Sequence, residues 1–295
     1  MPRVCKRVQR ENRGTLTAFW WNFGGTLRTD AICTLSQRGR AVLVTGSSSG
    51  IGFYNARAFA KAKATTVILT GRQEKSLTEA VSNLTIQYPE TTFIGRTLDI
   101  ADSTAVEKLW SGFETEGLLV DVLVLNAARI QFEKVSLLER GYAEVLADYA
   151  TNVGANLALV DHFYHQKARD PSKKLVLLNV STFSIHNFAV NRATPSYGLS
   201  KNAAALLVQL IAEEVPASDM QIVSFHPGFI LTSSAKGLGY TDPTLPWDHA
   251  ASNEAAFLPG RFTWTEWDID ELSSGEIRKR IDNDNKYLKL GVLGL

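Results

Sequence analysis

The chain has 295 residues, of which 45% are hydrophobic and 21% are charged, a composition typical of a globular domain with a substantial core. Lys and Arg number 31 against 30 Asp and Glu, so the net charge of +1 argues against a nucleic-acid partner. No run of about 18 apolar residues occurs, so we expect no membrane-spanning helix. Both cysteines precede residue 34, which excludes a disulfide framework or a Cys-based metal site from the rest of the chain and indicates a reducing, cytoplasmic setting.

The first forty residues differ from the rest, with eight Lys and Arg residues and only two acidic ones. A basic, acid-poor start is typical of a mitochondrial transit peptide. The apolar cluster at residues 18–21 is too short for a secretory core and is soon followed by two glycines. We favour a poorly ordered N-terminal extension over residues 1–38.

From residue 41 onward, short apolar runs alternate with longer helical stretches. The run at 41–45 is continuously apolar, as is typical of a strand buried on both faces. Further short runs rich in β-branched and apolar residues predict strands at 66–70, 92–98, 120–125, 174–179 and 221–225. Helices are predicted at 52–62, 74–88, 103–116 (with Asp102 or Ser103 as N-cap), 136–167 and in the stretch that ends near 215. Strands and helices that alternate at this spacing form right-handed βαβ units. We therefore predict an α/β fold with a single doubly wound parallel sheet flanked by helices, of Rossmann type.

A glycine-rich turn follows the first predicted strand, where residues 45–52 read Thr-Gly-Ser-Ser-Ser-Gly-Ile-Gly. Glycines let the backbone approach a pyrophosphate, which then lies on the N-terminus of the next helix. Such a turn alone is often only a tight connection, but its place between a strand and a helix favours cofactor binding. The loop residues assigned to the cofactor are Gly46, Ser48, Ser49, Gly50, Ile51 and Gly52.

The end of the second predicted strand bears on which cofactor is bound. An NAD site usually places an acidic side chain here, to accept hydrogen bonds from the adenosine ribose. The sequence has Gly71 instead, followed by Arg72, whose guanidinium suits a 2′-phosphate. The alternative is a solvated arginine at a strand end. We predict NADP(H).

Tyr197 and Lys201 lie four residues apart in a predicted helix, so both project from one face. A free tyrosine titrates near pH 10, and a nearby ammonium stabilises the phenolate and lowers that pKa toward useful acid–base chemistry. The spacing alone is common by chance and usually joins two surface residues. Together with the glycine loop, it predicts a catalytic pair.

These motifs, in this order, resemble the short-chain dehydrogenase/reductase family over roughly residues 36–235. The resemblance implies an acid–base role for Tyr197, while Lys201 lowers its pKa and binds the nicotinamide ribose, and Asn152 holds a water behind Lys201. It implies further cofactor contacts at Asp99 and Ile100 (adenine), at Asn126 and Ala127, and at Pro227, Gly228, Ile230 and Thr232 (nicotinamide side). The C-terminal region resembles a fungal branch associated with secondary metabolism.

Two positions depart from the family pattern. The hydroxyl that orients the substrate oxygen falls at Thr182 by motif but at Ser184 by its distance along the chain from Tyr197, and both remain candidates. Ala128 and Arg129 stand where glycine is usual, which alters a turn near the nicotinamide and removes no catalytic group.

Together these features predict an NADP(H)-dependent oxidoreductase for the carbonyl or secondary alcohol of a small, largely apolar metabolite, as a possible homodimer or homotetramer. The alternative is a catalytically silent NADP(H)-binding regulator or scaffold. The catalytic domain is placed at 39–272 with an irregular substrate loop at 233–259, and a C-terminal tail at 273–295. His162 and His165 lie near each other without a convincing third ligand, so no metal is predicted.

Overall fold

The computed structural model describes residues 36–131, 135–186, 194–227, 258, 260–264 and 272–289. Its centre is a seven-stranded sheet in the order β3-β2-β1-β4-β5-β6-β7, in which every neighbouring pair is parallel. The strands are β1 (Ala41–Val44), β2 (Thr66–Gly71), β3 (Thr92–Thr97), β4 (Val122–Leu125), β5 (Leu175–Val180), β6 (Met220–His226) and β7 (Arg261–Trp264). The predicted doubly wound parallel sheet is confirmed, with β7 added at one edge.

Helices cover both faces of the sheet. They are α1 (Gly50–Lys61), α2 (Glu74–Gln87), α3 (Ser103–Glu116), α4 (Leu137–Arg140), α5 (Tyr142–Tyr149), α6 (Ala155–Tyr164), α7 (Pro195–Glu214) and α8 (Gly275–Asn283), with a π-helix at Ala150–Gly154 between α5 and α6. Of the two predicted N-caps of α3, Asp102 is confirmed, since its side chain accepts a hydrogen bond from the amide of Ala105 at 3.1 Å. The helix ends at Gly117, whose φ of 66° suits glycine.

Successive strand residues pack into two different apolar clusters. Val42 and Val44 join side chains of α1, α2 and α8 on one face, whereas Leu43 joins those of α3 and α6 on the other. Because both faces are covered, the central strands β1 and β4 are apolar at every position. The chain reverses its winding between β1 and β4, so the loops that follow these strands diverge. In open α/β sheets this switch point is where ligands bind.

The segment predicted as a C-terminal tail contains α8, whose Ile281 is buried in the same cluster as β1. Arg261 of β7 is 7% exposed, and its guanidinium donates to the backbone carbonyls of Ile281, Asp284 and Tyr287. A buried guanidinium needs such acceptors. The described part of this segment is therefore anchored to the edge of the sheet.

Some of the predicted residues lie outside the described residues. They are Gly228, Ile230 and Thr232, the N-terminal extension up to residue 35, and the substrate loop apart from Leu258. In the part of the chain that is described, no helix is long and apolar enough to cross a membrane.

Candidate active site

The glycines of the loop after β1 each have a structural reason. Gly46 and Gly50 have φ values of 63° and 58°, which L side chains rarely adopt. Gly52 lies so close to the loop that a Cβ would stand 2.4 Å from the carbonyl oxygen of Gly46 and 2.6 Å from Nδ2 of Asn126. The predicted glycine loop therefore has the tight backbone that its spacing indicated.

Hydrogen bonds fix this loop to β2. The Ser47 hydroxyl donates to the Val44 carbonyl at 2.7 Å and accepts from the amide of Thr70 at 3.0 Å. The amide of Ser47 donates to the Thr70 carbonyl at 2.7 Å. Since these atoms are buried, each bond is retained without competition from water.

Asn126, predicted as a cofactor contact, fixes the same loop to the end of β4. Its Nδ2 donates to the carbonyls of Thr45 and Gly46 at 2.8 and 3.0 Å. The amides of Asn126 and Ala127 both donate to the Thr45 hydroxyl, at 2.9 and 3.0 Å. Asn126 thus shapes the loop through its own side chain.

The N-terminus of α1 directly follows this loop. Ser49 precedes the helix with an extended backbone and, among the described residues, makes no side-chain cap to its first amides. Uncapped amides and the helix dipole favour an anion at this position. Ser48, Ser49, Gly50 and Ile51 therefore lie at a helix N-terminus of the kind that binds anions, and their contact with a pyrophosphate stays a prediction.

Ser48 packs against the end of β2. A Cβ added at Gly71 would lie 2.9 Å from the Ser48 hydroxyl, so position 71 has no room for an acidic side chain unless Ser48 moves. Arg72 follows and is exposed. At the end of the next strand Asp99 is exposed and accepts from the amide of Ala101 at 3.0 Å, while Ile100 is buried.

The predicted catalytic pair lies near the start of α7. Lys201 is 2% exposed, and its Nζ donates to the backbone carbonyl of Val180, the last residue of β5, at 2.7 Å. Tyr197 precedes it by one helical turn and is partly buried. The end of β5 and the first turns of α7 are thereby joined through the lysine.

Burial moves the two pKa values in opposite directions. It raises the pKa of Tyr197 to about 12 and lowers the pKa of Lys201 to about 8. The value for Tyr197 is opposite to the lowering that the sequence predicted from a nearby ammonium. The pKa of Tyr197 rises because removal of water destabilises the phenolate. The ammonium of Lys201 donates a hydrogen bond to the Val180 carbonyl.

Thr182 and Ser184, the two candidate orienting hydroxyls, lie side by side. Their Oγ1 and Oγ atoms are 3.0 Å apart, and the amide of Ser184 also approaches Thr182 Oγ1 at 3.3 Å. Ser184 is 7% exposed and Thr182 is half-buried. Because the hydroxyls are in contact, position alone does not select one of them.

Asn152 lies in the π-helix and is completely buried. Its Oδ1 accepts from the amide of Arg129 at 2.7 Å, while Nδ2 donates to the Arg129 carbonyl at 3.0 Å and to the Ser200 hydroxyl at 2.9 Å. Its backbone carbonyl accepts from Nδ2 of Asn156 at 2.8 Å. The side-chain atoms of Asn152 are therefore engaged with protein atoms, and the water that the resemblance implies at Asn152 stays a prediction.

The end of β6 approaches the same edge. Pro227 and His226 are buried, and burial, with a smaller contribution from His186, lowers the pKa of His226 to about 4.

His162, which lies near His165 in the sequence, packs against the core. Its ring stacks on Trp110, with ring centroids 6.2 Å apart. Within the described residues, no group of three or more His, Cys, Asp or Glu side chains is placed to hold a metal.

A set of polar side chains around Arg129 was not predicted from the sequence. Asp148 is 1% exposed and contacts both Arg129 and Ser196, and Ser200 contacts Asn152. One signal was available, because Asp148 precedes Asn152 by four residues and so faces the same side of the helical segment.

Comparison with known proteins agrees with this arrangement. A family model described as short chain dehydrogenase matches residues 40–242. A short chain dehydrogenase/reductase from Claviceps purpurea is 32% identical over 267 residues, covering 86% of this chain and 87% of the relative. The short chain dehydrogenase/reductase AacuD from Aspergillus aculeatus is 30% identical over 264 residues, covering 86% and 89%.

Solved structures share the fold at lower identity. A short-chain type dehydrogenase/reductase from Mycobacterium marinum superposes with a TM-score of 0.70 at 19% identity, covering 79% of this chain and 96% of that one. L-sorbose reductase from Gluconobacter frateurii, complexed with NADPH and L-sorbose, gives 0.66 at 21% identity, covering 78% and 96%. With its parallel sheet, glycine loop and matched sequence, the chain belongs to the short-chain dehydrogenase/reductase family of oxidoreductases.

Proposed function

We propose that the protein is an NADP(H)-dependent oxidoreductase that acts on the carbonyl or secondary alcohol of a small, largely apolar metabolite. The observation that carries the proposal is the buried Lys201, hydrogen-bonded to the end of β5 at 2.7 Å, one turn after Tyr197. Burial of an ammonium is costly, and titratable groups with perturbed pKa values cluster at functional sites, so the phenol one turn away is the group that it would serve. Binding alone does not need this pair.

The glycine loop after β1 and the end of β2 fit a dinucleotide with a 2′-phosphate. Its pyrophosphate would lie on the amides at the start of α1, where Ser49 makes no side-chain cap among the described residues. The 2′-phosphate would meet the exposed Arg72, whose guanidinium can form charge-assisted hydrogen bonds with it. No acid competes at position 71, because Ser48 fills the space that its side chain would need. When bound, the nicotinamide supplies the hydride. L-sorbose reductase from Gluconobacter frateurii, which shares the fold, is complexed with NADPH, and this supports the choice of cofactor.

In the proposed reaction the chain handles the proton and the substrate oxygen. Tyr197, which keeps its proton at neutral pH, donates it to a carbonyl oxygen on reduction, or accepts one from an alcohol on oxidation. Thr182 or Ser184 orients that oxygen by a hydrogen bond. The Lys201 ammonium stabilises the phenolate form of Tyr197 when the proton has left.

The decisive experiment measures NADPH consumption by the full chain with a panel of ketones. Tyr197→Phe should lower kcat by about 10²- to 10⁴-fold, the usual contribution of a general acid, with the Kd for NADPH nearly unchanged. NADPH binding without any turnover that depends on Tyr197 would favour the silent regulator or scaffold instead. Separate Thr182→Val and Ser184→Ala variants identify the orienting hydroxyl, since only one should lose turnover while it keeps cofactor affinity.

The cofactor choice has its own test. Arg72→Ala should weaken NADPH binding by about 10- to 100-fold, the range of one charge-assisted hydrogen bond, and should leave NADH binding nearly unchanged. Arg278→Ala, which removes an exposed arginine paired with Asp282 on α8, is the matched control. Equal losses for NADPH and NADH would contradict the assignment.

The proposal extends to the substrate class and to assembly. Relatives in Claviceps purpurea and Aspergillus aculeatus support a fungal metabolite as substrate, and we place that metabolite in secondary metabolism. Leu157 of α6 and Leu206 and Leu210 of α7 are 48%, 42% and 51% exposed, which supports a homodimer or homotetramer through these helices. Light scattering of the purified chain measures its mass, and a monomer at micromolar concentration would contradict this part.

A further inference from the structure

Arg129 lies in the loop that leaves β4 and contacts two carboxylates of α5. Its Nη1 donates to Oδ1 of Asp148 at 2.8 Å, and its Nη2 donates to Oε2 of Glu144 at 2.6 Å. The hydrogen bond with Glu144 raises the pKa of Arg129. Asp148 is 1% exposed, so its negative charge depends on this guanidinium for compensation.

The same carboxylate reaches the helix of the catalytic pair. Oδ2 of Asp148 accepts a hydrogen bond from the Ser196 hydroxyl at 2.5 Å. Ser196 is the second residue of α7, is 1% exposed and immediately precedes Tyr197. A continuous chain of charge-assisted bonds therefore runs from the Arg129 side chain to the first turn of α7.

The backbone of Arg129 reaches α7 by a second route. Asn152 holds both the amide and the carbonyl of Arg129, and its Nδ2 also donates to the Ser200 hydroxyl. That hydroxyl donates to the carbonyl of Tyr197 at 3.1 Å, and Ser200 immediately precedes Lys201. The two routes have only Arg129 in common before they meet on α7.

We infer that Arg129 is a positioning residue, which fixes the start of α7, and with it Tyr197 and Lys201, relative to the loop that follows β4. It acts through two pairs of side chains, Asp148 with Ser196 and Asn152 with Ser200. The inference rests on the proposed function for its kinetic consequence. It also assigns Asn152 a role as connector between the loop and α7. Displacement by about 1 Å of a group that must approach the reacting atoms can lower turnover by roughly 10²-fold.

The test compares Arg129→Met with Arg169→Met in the full chain. Arg169 is a suitable control because it is 14% exposed, lies 3.8 Å from Asp219 and donates to the carbonyl of that residue, which immediately precedes β6 at the end of the strand away from Val180. Arg129→Met should lower kcat by about 100-fold and change KM for NADPH much less, while Arg169→Met should leave kcat within about twofold. Arg129→Lys should recover part of the loss, because an ammonium can pair with one carboxylate.

Ser196→Ala keeps the ion pair intact and so tests the connection without loss of the fold. It should lower kcat by about 10-fold, and the loss should not add to that of Arg129→Met, because both act along one route. Unchanged kcat in Arg129→Met or Ser196→Ala, or equal losses in Arg129→Met and Arg169→Met, would overturn the inference. If Arg129→Met does not fold, Ser196→Ala decides alone.

Hydrogen exchange separates this inference from the proposed function. Amides of residues 196–201 should exchange faster in Arg129→Met and Ser196→Ala than in the wild type and in Arg169→Met. If the wild type reduces none of the ketones, the proposed function fails, and exchange alone decides the role of Arg129. Unchanged exchange at 196–201 in both variants would then refute it.

Discussion

Gly52 lies so close to the backbone of the glycine loop that a single added methyl group should destabilise the protein. In Gly52→Ala the new Cβ would lie 2.4 Å from the Gly46 carbonyl oxygen, 2.6 Å from Asn126 Nδ2 and 2.8 Å from Ser47 Cα. Two of these atoms belong to the backbone of a loop that β2 and β4 hold by hydrogen bonds, so they cannot rotate away. Overpacking costs about 1–3 kcal/mol, and we expect the upper end, about 3 kcal/mol in the free energy of unfolding.

The assay combines denaturant unfolding with a fluorescence titration of NADPH. Gly112→Ala is the matched control, because this glycine lies within α3 and no described atom comes within 4 Å of the added Cβ. That variant should gain about 0.5–1 kcal/mol from helix propensity, so the two variants should differ by about 4 kcal/mol. Wild-type stability together with wild-type NADPH affinity in Gly52→Ala would refute the reasoning about the loop.

Three further predictions concern stability. Lys63 follows α1 with a φ of 66°, so Lys63→Gly should raise the free energy of unfolding by about 1 kcal/mol in denaturant titration. Arg261→Met leaves three backbone carbonyls near α8 without their donor and should lower it by about 3 kcal/mol, whereas an unchanged midpoint would exclude the anchoring role. His226 has a folded pKa of about 4 against 6.5 in the unfolded chain, so the unfolded state binds the extra proton between these values and stability falls as the pH drops from 6.5 to 4. The loss is on the order of 3 kcal/mol, and His226→Gln, measured at pH 4 and pH 7.5, should show much less of it.

The parts of the fold that the sequence predicted are those decided by local pattern. Runs such as residues 41–45 are apolar at every position because both faces of the sheet are covered, and they mark the strands directly. The α3 helix was placed correctly because a capping Asp102 and a terminal Gly117 bound its apolar periodicity. β7 was missed because its alternating run of only four residues is too short to mark a strand, and it pairs with β6 across a long separation in sequence.

The site was predictable only where its chemistry repeats a short motif. The glycine loop and the Tyr197–Lys201 spacing are local, so the sequence indicates them directly. Arg129 contacts Asp148, which is 19 positions away in the sequence, and Asn152, which is 23 positions away. Through Asp148 it is linked to Ser196, nearly 70 positions away, and no periodicity in the sequence encodes such pairs. The direction of the Tyr197 pKa also could not be predicted, because it depends on how much water the folded chain excludes from the phenol.

Burial affects the protonation of Tyr197 and of Lys201 in opposite directions. With pKa values of about 12 and about 8, the phenol keeps its proton at neutral pH and the lysine is mainly charged, which is the ionisation state from which a carbonyl can receive a proton. Oxidation of an alcohol needs the phenolate, and in a site with little water that anion is stable only beside a positive charge held in place. The carbonyl of Val180 holds Lys201, and in our inference Arg129 holds the helix that carries both groups. Because little water screens charges in such a site, their attraction is strong, so in the proposed reaction the fixed position of Lys201 at the start of α7 governs how far the Tyr197 pKa falls when the proton leaves.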